Sequence, residues 1–269
     1  MEFHLEMIVK GLTSRKLEYY WEGFKSVAFA FYDKHNVYLY NHPKYNSTAL
    51  HPYLLPWSKD FTGDTLILFE EQPTAIINLD LHEEIEDLYA VCVHELFHGY
   101  QFLRGDERYP DELLINTYPL SLKNIELRNQ ERYHLYLSVM AASPEERKQA
   151  MHQFIVLREA REELLGEYVR NEYWIETLEG PAWYVELNAY AEKSTLPNEE
   201  IVQKFSSYLI DEIESSAHIR SSSYSSGLFL CLLLDELQVN WKEEFMNSDL
   251  SLYTFFKQFV DQAVVHLQH

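Results

Sequence analysis

The sequence predicts an α+β fold, with a small mixed sheet lobe over residues 1–105 and a mostly helical lobe over 106–269. Three observations predict it. Short runs rich in Val, Ile, Phe and Tyr, bounded by turn residues, all lie before Leu81. A strongly apolar helical stretch, Leu88 to Phe102, follows them. Beyond it, helix-length segments with start signals recur without strand-like alternation.

Each element follows in chain order. Arg15 to Phe24 reads as a helix, and Val27–Phe31 and Val37–Tyr40 as strands around the turn Asp33-Lys34-His35-Asn36. His42 to Trp57, rich in proline and aromatics but without a period, reads as loop. Thr65–Phe69 and Thr74–Leu81 read as strands flanking Glu70–Pro73. Leu122 to Ala142 reads as one helix. Ser143-Pro144-Glu145-Glu146 then supplies an N-cap, a first-turn proline and a capping-box acid for a helix running to about Val169. Further helices are expected over Asn198–Ser215, Gly227–Val239 and Leu250–Leu267, with Ser221–Ser226 a short serine-rich loop, a mobile edge. No fixed-period repeat is present.

Composition narrows the class. At 269 residues, 46% hydrophobic and 15% aromatic, the chain can bury a substantial core and does not read as disordered. A formal charge of −21 repels phosphates, so nucleic acid is not an expected partner; basic peptides are compatible, and so is solubility alone. Cys92 and Cys231 lie in apolar helical contexts and give no disulfide framework. The opening Met1-Glu2-Phe3-His4-Leu5-Glu6 lacks the features of a signal peptide, and no run reaches the roughly 20 apolar residues of a membrane span. The expected location is the cytoplasm, with no membrane partner.

The chemistry is concentrated in Val93-His94-Glu95-Leu96-Phe97-His98-Gly99. Residues four apart share a helix face, so His94 and His98 can both direct a ring nitrogen at one metal ion. Glu95, turned about 100° from His94, misses direct ligation but can reach a metal-bound water as a general base. Leu88, Val91, Val93, Leu96, Phe97 and Phe102 put this helix in the core, where two imidazoles at this spacing need a shared partner. Zn2+ is the expected cofactor, because a water on zinc titrates near a pKa of about 7.

A catalytic zinc needs three protein ligands and an open position. Glu179 is the best third ligand; it opens Glu179-Gly180-Pro181-Ala182, where glycine and alanine keep the backbone slim beside an acid. Glu176, one turn earlier, is the nearest rival, followed by Glu186 and Glu172. With Glu179, Gly180 and Ala182 matching the local pattern Glu-Gly-x-Ala, the chain resembles the gluzincin metallopeptidases. The metzincin pattern fits worse, since it requires glycine and histidine where this chain has Gln101 and Arg104. The resemblance implies a zincin-like catalytic domain with the ion between the lobes. It also implies a helical insertion between the two active-site helices, because Glu179 lies far beyond His98.

Ser223-Tyr224-Ser225-Ser226-Gly227 is similar to the Tyr-x-x-Gly motif of aminopeptidase-type gluzincins. That similarity implies that the Tyr224 hydroxyl supports the negative charge developing on the former carbonyl oxygen. His218 and Arg220 are further candidates in the same peptide. The Gly-x-Met-Glu-Asn amine anchor is missing, as is an aspartate four residues after Glu179, so the outer partners of the histidines are not identified by sequence. In zincins the strand before the metal helix often pairs with extended substrate; Ala75–Asp80 is either such a strand or an ordinary sheet strand.

The expected function is zinc-dependent hydrolysis of peptide bonds in a peptide or protein substrate. Two other readings stand beside it. Glu131-x-x-His134 echoes Glu95-x-x-His98, and paired motifs of this kind build the di-iron site of carboxylate oxidases in helical bundles; Pro110 and Pro119 interrupt the stretch where such a bundle needs another acid-bearing helix. A catalytically silent zincin-fold binding protein is the other. Endopeptidase and exopeptidase action are not distinguished.

Overall fold

The strand-rich start of the chain forms one mixed sheet, and the rest is helical, in a computed structural model that describes residues 2–237 and 240–265. By its internal contacts the chain divides into two units, Met1–Asp106 with Val185–Ile201, and Glu107–Tyr184 with Val202–His269.

The first unit opens with α1 (Glu2–Gly11) and α2 (Ser14–Tyr20). The strands β1 (Ala28–Tyr32), β2 (Asn36–Tyr40), β3 (Tyr53–Pro56), β4 (Thr65–Phe69) and β5 (Gln72–Asn78) pair in the order β3-β2-β1-β5-β4. All five residues of β1 are buried, as an unbroken apolar run requires when both faces of a strand are covered. On one face Ala30, Tyr32, Val37, Leu39, Phe61 and Ile76 form a closed cluster. The β1–β2 turn is fixed by Asp33, whose Oδ1 accepts from the main chain of His35 (2.7 Å) and Asn36 (2.8 Å).

One sequence expectation changes here, and one pair of alternatives is decided. The stretch expected as loop contains β3, an exposed edge strand ending at Pro56, where a missing N–H costs least. Ala75–Asp80 is not a substrate-binding edge over β5, which is paired in parallel with β1 and antiparallel with β4. The outer strand on that side is β4.

The helix carrying the two histidines, α3 (Ile85–Leu103), packs against β5 and β4. Phe97 meets Trp21 and Phe24 edge-on at 5.1 and 5.2 Å. Gly99 is required by close approach, because a Cβ there would lie 2.4 Å from a Val27 methyl.

The second unit contains α4 (Glu112–Asn116), α5 (Leu122–Met140), α6 (Pro144–Leu165) and the first part of α7 (Glu167–Lys193). It also contains most of α8 (Asn198–Phe205), then α9 (Ser207–Ile210), α10 (Glu212–Ala217), α11 (Ile219–Leu237), α12 (Trp241–Met246) and α13 (Leu252–Val265). Ser143 caps α6 by accepting from Glu146 N at 3.2 Å, with Pro144 in the first turn, as the sequence indicates. Gly166, at φ 56°, then ends α6 before the expected Val169. The single helix expected over Asn198–Ser215 is three short ones. Residues 238–239 and 266–267, the ends of two expected helices, lie outside the described residues.

Ser221–Ser226 is a correction: it is helical, within α11, and Ser222, Ser223, Ser225 and Ser226 are fully buried. The reason is what they touch. Ser222 accepts from Arg132 Nε (3.3 Å), Ser225 donates to the Phe205 carbonyl (2.7 Å) and Ser226 donates to Glu176.

Those contacts belong to a buried charge network. Arg128, Arg132, Arg158 and Arg161 with Glu131, Glu172 and Glu176 are each at most 1% exposed. Arg158 grips Glu176 with two hydrogen bonds of 2.9 and 2.8 Å, Arg132 reaches Glu172 at 2.9 Å, and Arg161 reaches Glu131 at 2.5 Å. Burial alone would raise the Glu131 carboxyl, but Arg158, Arg161 and Arg132 outweigh it and hold it at about 2.

Candidate metal centre

On α3, His94 and Glu95 are each 6% exposed, and His98 is half-buried one turn further on. His94 Nδ1 lies 2.7 Å from Glu186 Oε2, and His98 Nδ1 lies 2.8 Å from Gln101 Oε1. A carboxylate and an amide oxygen only accept, so each Nδ1 carries the ring hydrogen and each Nε2 is left with a lone pair. The two Nε2 atoms stand 3.0 Å apart, in rings crossing at 77°. At that distance one cation or one proton can bridge the two nitrogens. The separation is close to the roughly 3.3 Å between two nitrogens on one tetrahedral zinc.

Glu179 lies on α7 and is 4% exposed. One ligand atom from each of His94, His98 and Glu179 falls within 4.8 Å of the other two. Two imidazole nitrogens and one carboxylate oxygen, with the imidazoles already held in the ligating tautomer, are a donor set that fits Zn2+.

The four acids that compete for the third position by sequence, Glu172, Glu176, Glu179 and Glu186, repeat at helical spacing and share one face of α7. Their partners separate them. Glu172 and Glu176 are bound by buried arginines, and Glu186 orients His94. Glu179 accepts from Arg220 Nη2 at 3.2 Å through Oε1. Glu186 and Gln101, the outer partners that the motif reading did not find, each lie at helical spacing from a ligand: Gln101 three residues after His98, Glu186 seven after Glu179.

Tyr224 is in the second turn of α11, where Arg220 Nε donates to its oxygen at 2.8 Å. Burial and the neighbouring Glu179 carboxylate both push its hydroxyl above the ordinary phenol range, so it stays a donor. Trp183 packs edge-on against the Tyr224 ring at 5.8 Å. His218 is not part of this cluster; its ring is half-exposed and lies 3.4 Å from Glu214 on the surface.

The echo motif comes apart. Glu131 is compensated by three arginines, while His134 lines a separate cavity of about 490 Å³ with Leu137, Met140 and Ala150. Carboxylates already neutralised by guanidinium groups leave no net negative charge for two iron ions. Burial pushes the thiols of Cys92 and Cys231 up, which makes them inert core residues. Among the described residues no helix is long and apolar enough to cross a membrane. Compared with known proteins, the chain matches no family model, no curated protein and no solved structure.

Proposed function

We propose that the protein is a zinc-dependent metallopeptidase of the gluzincin type, with His94, His98 and Glu179 as metal ligands and Glu95 as general base. The observation that carries this reading is the pair of Nε2 atoms 3.0 Å apart, each left as an acceptor because the Nδ1 of the same ring faces an oxygen. When bound, a zinc ion would supply Lewis acidity to the attacking water and to the scissile carbonyl.

The protein's own groups do the rest. Glu186 and Gln101 hold the two rings in the ligating tautomer. Glu95 takes the proton of the attacking water and returns it to the leaving amine. Tyr224 donates its hydroxyl hydrogen to the oxygen on which charge develops, an interaction strongest in the transition state. The outer strand β4, next to α3, offers a main-chain edge for an extended peptide.

Retention of Glu95 favours an enzyme over a binding protein, because metal binding does not need a base. Glu95→Gln is expected to abolish turnover of a peptide library while zinc stays bound. Near-wild-type hydrolysis in that variant would remove the mechanism, and zinc binding without hydrolysis in the wild type would favour the silent binding protein.

A further inference from the structure

Arg220 bears on an open question, whether the bond cleaved is internal or near a chain end. Its three kinds of nitrogen are divided among three acceptors. Nε donates to the Tyr224 oxygen at 2.8 Å, Nη2 donates to Glu179 Oε1 at 3.2 Å, and Nη1 donates to Glu112. The first two partners belong to the candidate centre. The third does not: the Glu112 side chain is 62% exposed, on a five-residue helix that buries none of its residues. A guanidinium fixed on two sides thus presents its remaining nitrogen to an exposed carboxylate.

We infer that Arg220 recognises a free carboxylate on the substrate, close to the bond cleaved, and that Glu112 holds the carboxylate's place until substrate arrives. Three considerations support this. A guanidinium N–H donates a charge-assisted hydrogen bond to a carboxylate, and the orientation of Nη1 is already set by Tyr224 and Glu179, so little order is lost on binding. An exposed ion pair such as Arg220–Glu112 contributes little and exchanges cheaply. In a chain of net charge −21, an acidic ligand is tolerated only where a cation is placed to receive it, and Arg220 is one hydrogen bond from Glu179. The substrate class is then a peptide with its carboxyl terminus beside the scissile bond. That assignment rests on the hydrolase reading; recognition of a carboxylate does not.

The test uses two acetylated tripeptide libraries of identical composition, one with free carboxyl termini and one amidated. Each is offered to the zinc-loaded full chain, and both retention in equilibrium dialysis and cleavage are read by mass spectrometry. The wild type should retain and cleave the acids in preference to the amides. Glu112→Gln should raise retention of acids by about threefold, the scale of an exposed ion pair, and leave amides unchanged. Arg220→Gln should erase the preference, and Arg220→Lys should restore part of it. Glu112 is on an exposed helix, so its variant keeps the test decisive even if Arg220→Gln fails to fold. Equal treatment of acids and amides, or retention of neither, overturns the inference; if both are still cleaved, the hydrolase reading survives. Selective retention of acids without cleavage keeps the role of Arg220 and removes the hydrolase reading instead.

Discussion

Gly180 and Gly227 touch backbone to backbone: a Cβ on either would lie 2.7 Å from the Cα of the other. The contact joins two motifs that are far apart in sequence. Glu179 immediately precedes Gly180 on α7, and Tyr224 stands one turn before Gly227 on α11, so the glycine pair sets the distance at which Arg220 and Tyr224 meet Glu179. Gly227→Ala should push the helices apart, lowering stability by about 1–3 kcal/mol, as overpacking does, and weakening zinc binding as Glu179 shifts. Denaturant midpoints and a chelator competition check both; an unchanged protein would show that the contact is not needed.

Removing the oxygen that faces His94 Nδ1 should cost metal affinity without removing a ligand. Glu186→Ala is expected to weaken zinc binding by about 10–100-fold, the range for outer partners of metal-bound histidines. Glu186→Gln should lose less, because an amide oxygen still accepts from Nδ1. Equal zinc affinity in all three proteins would assign Glu186 no role in the tautomer.

Glu176 separates a structural acid from a ligand. Its carboxylate is fully buried on Arg158, so Glu176→Gln leaves that buried cation with Glu131 as its one remaining carboxylate and should lower stability by about 3–5 kcal/mol. Zinc content per folded chain should not change. Loss of zinc at preserved stability would reverse the assignment of Glu176 and Glu179.

The same network fixes an acid response. Glu131 is held at about 2, below its ordinary 4.5, so its contribution to stability is complete above about pH 4.5 and is lost as pH falls towards about 2. Glu172, lowered by Arg161 and its neighbours against the opposing effect of burial, acts in the same direction. Unfolding midpoints recorded between pH 7 and pH 2 should fall below pH 4.5. Stability that rises in this window would mean that the carboxylates are not ionised in the fold.

Much of this was legible in the sequence because short-range patterns carry it. The spacing of His94 and His98, the cap at Ser143 and the apolar run of β1 each follow from a few consecutive residues. The rest depends on partners that are remote in sequence. The serines of α11 read as a loop until Arg132 and Glu176 are seen to use them. The helix over Glu167–Lys193 is hidden by Gly180 and Pro181, the one needed by the α11 contact and the other removing only one hydrogen bond from a long, well-packed helix. Four acids on one face of α7 look equivalent until the arginines, which nothing local marks as buried, claim two of them.

The most direct measurement is metal content by mass spectrometry for the wild type, Glu179→Ala and His98→Ala, each purified without added metal and again after exposure to zinc. A zinc site on His94, His98 and Glu179 requires about one zinc per chain in the wild type and loss of it in both variants while the chains stay folded. Stoichiometric zinc in Glu179→Ala, no zinc in the folded wild type under either condition, or about two irons in its place, would contradict it.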